Sequence, residues 1–147
     1  MPASATPRSP RRYLALDPGG KRTGLAVGDD LTHQAGPVGV IDSPDRPTLL
    51  RHLRRVIDEH GPDALVIGIP YGAEGDAGPA AKQALELADF LERETALPVH
   101  RVDERLTSYA ADDAMRQSGY THRQKKQRRD ALAAAAILRD FLESRRF

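Results

Sequence analysis

The sequence predicts an α/β fold, a mixed sheet with helices on its faces, and three observations carry that reading. Three extended segments follow one another near the start with only turns and a polar link between them. From Asp45 onward helical and extended patterns alternate, the order expected when strands run parallel and helices cover a sheet. The 147 residues are 39% hydrophobic and contain no cysteine, so one ordinary core has to form without disulfide or thiolate-zinc support.

Each element has a local reason. Residues 1–12, MPASATPRSPRR, are rich in proline, serine and arginine with almost nothing to bury, and are expected to form a flexible basic extension ahead of one folded domain over 13–147. Tyr13 to Asp17 and Thr23 to Gly28 are apolar and strand-like, and the PGGKR between them is turn chemistry, so the pair reads as a hairpin. Val38 to Asp42 adds a third strand after Gly36 and Pro37. Asp45, Arg46 and Pro47 open a helix whose Leu49, Leu50, Leu53, Val56 and Ile57 keep a helical period up to Gly61 and Pro62. Ala64 to Ile69 is a continuous apolar run, the pattern of a central strand covered on both faces. A loop with Gly72, Gly75 and Gly78 follows, then a helix from Pro79 to about Thr95. Pro98 to Asp103 is a further strand. Thr107 or Ser108 can cap a short helix ending at Gly119, and a last helix spans about Gln124 to Ser144 with an apolar stripe from Ala131 to Leu142.

Composition removes several function classes. No apolar run approaches the ~18 residues of a membrane span, and the start lacks a signal peptide's apolar stretch, so a cytoplasmic protein without membrane contact is expected. The five histidines are scattered without zinc-ligand spacing. The run DPGGKRTG matches neither a dinucleotide fingerprint nor a P-loop. The net charge is only +1, yet basic residues gather at Arg8, Arg11 and Arg12, at Arg51, Arg54 and Arg55, from Arg123 to Arg129, and at Arg145 and Arg146. Solvated faces would explain any one cluster, whereas four on a near-neutral chain suggest a polyanionic partner.

Three acids stand out. Asp17 ends a buried-looking strand beside a Pro-Gly-Gly turn, where it either shapes the turn or serves a site. Glu104 follows the strand ending at Asp103 and precedes Arg105, so it is either a surface carboxylate or a ligand. Asp130 lies on the apolar stripe of the last helix, four residues before Ala134 and eight before Leu138. A carboxylate on a packed face needs a cation, either an arginine such as Arg22 or Arg105, or a divalent metal. If the central strands are parallel neighbours, Asp17 and Glu104 open onto one sheet edge, and the final helix crossing it adds Asp130. Three carboxylates without thiol or clustered imidazole make a hard oxygen site suited to Mg2+ or Mn2+, and two such ions about 4 Å apart serve phosphodiester hydrolysis.

As a set, four blocks resemble the YqgF family, also called RuvX. They are Asp17-Pro-Gly-Gly-Lys-Arg22-Thr-Gly24-Leu-Ala26, Gly68-Ile-Pro70 through Gly75, Asp103-Glu104-Arg105-Leu106-Thr107-Ser108, and Asp130-Ala131 leading into Ala134-Ala135 and Ile137-Leu138. The resemblance covers about Tyr13 to Leu142. It implies a ribonuclease H-like fold similar to that of the RuvC resolvase, with five strands in the order 3-2-1-4-5. It also implies that Asp17, Glu104 and Asp130 are catalytic, metal-binding carboxylates, the second acid lying after the fifth strand. Family members are described as nucleases maturing the 5' end of 16S ribosomal RNA, and earlier as Holliday junction resolvases.

The expected function is therefore a metal-dependent nuclease on structured or single-stranded RNA, or on branched DNA, with Lys21, Arg22, Arg105, Lys125 and Lys126 contacting phosphates. A two-fold symmetric junction would suit a homodimer; a single RNA strand would not require one. A non-catalytic nucleic-acid-binding module is a second reading. A sugar-kinase or actin-like ATPase is a third, disfavoured because those proteins clamp nucleotide between two such domains.

Overall fold

The computed structural model describes residues 11–72, 74–106 and 122–145. Among these, the elements run β1 (Arg12–Gly19), β2 (Arg22–Asp29), β3 (Ala35–Asp42), α1 (Arg46–His60), β4 (Ala64–Ile69), α2 (Pro79–Thr95), β5 (Val99–Asp103), a 3-10 turn (Glu104–Leu106) and α3 (His122–Ser144). The short helix expected from Thr107 or Ser108 to Gly119 lies outside the described residues.

The hairpin is longer than its apolar runs suggest. Pairing continues through Pro18 with Thr23 and Gly19 with Arg22, leaving Gly20 and Lys21 as the turn. Gly20 adopts a left-handed φ of 56°, which costs glycine no Cβ clash. Gly36 and Pro37, read from sequence as a link, belong to β3 and pair with β2; β3 is an edge strand, where a proline N need not donate. The register steps from Leu25–Gly39 to Ala26–Pro37, so Val38 bulges out without a partner. Asp45 caps α1 by accepting from the Thr48 N–H at 2.8 Å, and Gly61, at φ 59°, ends it.

The sheet order is β3-β2-β1-β4-β5, with β1–β4 and β4–β5 parallel and the two pairings of the meander antiparallel. This is the expected five-stranded mixed sheet. Strand alternation divides the core into two layers. Leu14, Leu16, Leu25, Leu65 and Ile67 pack with Leu49, Leu53, Leu87 and Leu91 of α1 and α2. On the other face Tyr13, Ala15, Ala26, Ala64 and Val66 pack with Ala134, Ile137, Leu138 and Phe141 of α3. The second face is built largely from small side chains. A helix can therefore settle close to the strands there, and this closeness positions the acids described next.

Candidate active site

Strand register places Asp17 in a row between two glycines. On β2 its antiparallel partner is Gly24. On β4, one step beyond the Leu16–Ile67 pair, its parallel neighbour is Gly68. All three continue the parity of Ala15, Ala26 and Val66, so they face α3. Each glycine leaves the space a neighbouring acid uses. A Cβ on Gly24 would collide with the backbone carbonyl of Asp130, and one on Gly68 would stand 2.5 Å from Glu104 Oε1 and 2.7 Å from Ile137 Cδ1. Asp130 thus comes over Gly24 from α3, and Glu104 over Gly68 from the turn after β5, on either side of Asp17.

The electrostatics follow from that crowding. Burial, then the hydrogen bond to Glu104, then the charges of Glu104 and Asp130, push the Asp17 carboxyl up to about 9. A hydrogen bond between two carboxyl groups requires a proton on one of them. Glu104 Oε1 is a buried oxygen that no donor among the described residues reaches. Asp130 meets an arginine: its Oδ2 lies 3.3 Å from Arg22 Nη2, both side chains being largely covered. The arginine partner anticipated for an acid on a packed helix face is therefore present, and the same acid also bears on Asp17.

As they stand, no three acidic, imidazole or thiol groups among the described residues close around a single point. The donor set nevertheless suits a hard divalent cation. Asp17 and Glu104 offer carboxylate oxygens at one spot, one of them buried and without a donor among the described residues, and a cation there would take the place of the proton that burial holds on Asp17.

The expected phosphate contacts differ in their surroundings. Lys21 sits in the exposed hairpin turn and Arg22 is held by Asp130. Arg105 is tied back to Asp103, with Nη2 at 2.6 Å and Nε at 3.1 Å from Asp103 Oδ2, and its guanidinium lies 5.9 Å from the Tyr71 ring centroid. Lys125 and Lys126 belong to the first turns of α3, and their side chains lie outside the described residues. Sequence reasoning missed Gly24 and Gly68 as shapers of the site. Both fall inside the blocks that suggested the family, but only the register shows that they flank Asp17.

The RuvX family profile, described as Holliday junction resolvase, matches residues 11–144. The chain belongs to the RuvX family. Among its RuvX relatives, a protein of Anaeromyxobacter sp. (strain Fw109-5) is 37% identical over 134 residues, covering 91% of this chain and 98% of the relative. One of Koribacter versatilis (strain Ellin345) is 39% identical over 134 residues, covering 91% and 88%. Both bear the name "Putative pre-16S rRNA nuclease". In three dimensions the chain is similar to T. thermophilus RuvC in complex with a Holliday junction substrate, with a TM-score of 0.53 at 18% identity over 92% of this chain and 95% of that one. The fowlpox virus Holliday junction resolvase gives 0.53 at 17% identity over 90% and 99%. At such identities these two likenesses establish the shared RuvX and resolvase fold.

Proposed function

We propose that this chain is a divalent-metal-dependent nuclease that hydrolyses phosphodiester bonds in precursor 16S ribosomal RNA, with Asp17, Glu104 and Asp130 as its catalytic, metal-holding carboxylates. The observation that carries the reading is the half-buried pair Asp17 and Glu104, two neighbouring acids of which one oxygen, Glu104 Oε1, is buried without a donor among the described residues. Such a pairing of acids costs the fold stability, a cation bound between them would offset that cost, and strongly shifted carboxyls gather at functional sites. The names of the curated relatives support RNA as the substrate. Residues 13–147 act as one nuclease domain and residues 1–12 as a basic extension.

Mg2+ or Mn2+ held there, in two positions, would supply Lewis acidity and a lowered water pKa to the hydrolysis. The protein's own part is then specific. Asp17 gives up its proton, and Asp130 lets go of Arg22. The freed Arg22 guanidinium, with Lys21 beside it in the turn, takes phosphate oxygens. Arg105 exchanges Asp103 for phosphate, while Lys125 and Lys126 approach from α3. Phosphate contacts carry no base information, so the substrate is chosen mainly by shape.

The deciding experiment compares cleavage of a precursor 16S leader RNA, single-stranded DNA and a four-way DNA junction by the purified chain with Mg2+, Mn2+ or chelator. The leader is expected to be cut only with metal. Asp17→Asn and Asp130→Asn should each lose about 100-fold or more in rate, the scale set by removing one charge-stabilising group, while still binding RNA. Preference for the four-way junction would move the substrate to branched DNA, the second reading that the family's description favours. No cleavage with either metal would leave a nucleic-acid-binding module.

A further inference from the structure

The other face of the sheet carries a groove of about 630 Å³ between the hairpin turn, the start of α1 and the first turns of α2. That size is typical of sites for small organic molecules. Its walls are apolar, formed by Pro18, Pro70, Leu49 and Leu87. Its floor is polar. Thr23 is 2% exposed, and its hydroxyl lies 3.1 Å from that of Ser43. Two hydroxyls sharing one hydrogen bond keep one O–H and several lone pairs for another partner. Gln83 adds an amide with both donor and acceptor at the rim.

The charged lining groups are already engaged. Asp45 caps α1 at 2.8 Å, and Arg46 meets Glu86 at 3.3 Å. A phosphate inside would face two carboxylates against one guanidinium. Neutral hydrogen-bonding edges between apolar walls instead fit a flat, neutral heterocycle. The groove also lies next to the acids: Pro18 follows Asp17, about 3.8 Å away between Cα atoms, and alternation along β1 turns the two side chains to opposite faces.

We infer that this groove receives an unpaired nucleobase of the substrate, so that the strand crosses the carboxyl edge of the sheet with its base on one face and its scissile phosphate among the acids on the other. The inference rests on the nuclease reading and adds that the nucleotide beside the cut must be single-stranded or extruded. It is tested in two independent arms. In metal-free buffer, backbone amide resonances of Thr23, Ser43 and Gln83 are followed while AMP, GMP, CMP, UMP and ribose 5-phosphate are added. The nucleotides should shift them and ribose 5-phosphate should not. Ala80→Leu, which adds bulk at an exposed lining position of α2, should weaken nucleotide binding at least fivefold. In the second arm, leader RNA with an abasic residue beside the cleaved bond should be cut at least tenfold less efficiently by the wild-type chain. Ala80→Leu should not lower that rate further.

Equal shifts from ribose 5-phosphate, or equal cleavage of intact and abasic RNA, would overturn the inference. Failure of the wild-type chain to cut any substrate would instead defeat the nuclease reading, leaving the titration to decide whether the groove takes a base.

Discussion

Asp17 makes the cost of the site measurable at a single residue. Its carboxyl is held up to about 9 in the folded chain, chiefly by burial, whereas the unfolded chain titrates it near 3.8. Between those values the folded state keeps a proton that the unfolded state has released, so this group makes stability fall as pH rises across that window and level off above it. Asp17→Asn removes the dependence. In chelator, thermal melts at pH 5 and pH 8 should show the wild type losing Tm with rising pH more steeply than the variant, and the variant should melt several degrees higher at pH 8, at about 2–4 °C per kcal/mol for a chain of this size. Parallel pH profiles for the two proteins would remove Asp17 as a strained acid. Added Mn2+ should raise the Tm of the wild type at pH 8 and leave that of Asp17→Asn nearly unchanged, because only the folded site binds it. Gly68 bears on the same chemistry from below. Gly68→Ala places a methyl 2.5 Å from Glu104 Oε1, 2.7 Å from Ile137 Cδ1 and 2.9 Å from Glu104 Cγ, so the Glu104 side chain and a core isoleucine have to shift together. Its expected effect is a loss of stability of about 1 kcal/mol, the low end for overpacking because only side chains are met, with at least about a tenfold loss of cleavage, read from paired melts and kinetics.

At the element scale, α3 is the part that brings a distant acid to the strands. Its alanines Ala131, Ala134 and Ala135 are buried, and Gly24 and Gly28 leave room for it on β2. Gly24→Ala differs from Gly68→Ala because its methyl meets helix backbone, which cannot rotate aside. The whole helix has to lift, moving Asp130 and loosening the second core layer. The expected result is a larger loss of stability, about 1–3 kcal/mol, together with loss of cleavage. A Gly24→Ala chain that melts and cuts like wild type would show that α3 sits farther from β2. The hairpin, α1, β4 and α2 were legible from local chemistry: a Pro-Gly-Gly turn, an Asp cap, a continuous apolar run and a Pro at a helix start. β3 begins at Ala35, ahead of the Val38 start its apolar residues suggest, because a strand through Gly36 and Pro37 is held by its partner β2 and carries no propensity of its own.

For the whole molecule, a near-neutral chain binds a polyanion through where its charges lie. Lys21 is exposed in the hairpin beside the acids, whereas Arg55 is exposed on α1, which covers the opposite face. RNA affinity measured across salt concentrations should lose about one from its log–log slope in Lys21→Gln and keep the wild-type slope in Arg55→Gln. The reverse result would place the backbone track along α1. No helix among the described residues is long and apolar enough to cross a membrane.

Local patterns in the chain predict the mixed α/β architecture, the hairpin and the three acids worth testing, because turns, caps and periodicity are written within a few neighbouring residues. The folded chain alone shows that Gly24 and Gly68 flank Asp17, that Arg22 is the partner Asp130 meets, and that burial and the neighbouring Glu104 hold the Asp17 carboxyl up. Those facts depend on strand register and on the seating of α3, which are contacts between residues far apart in the chain that no local pattern encodes.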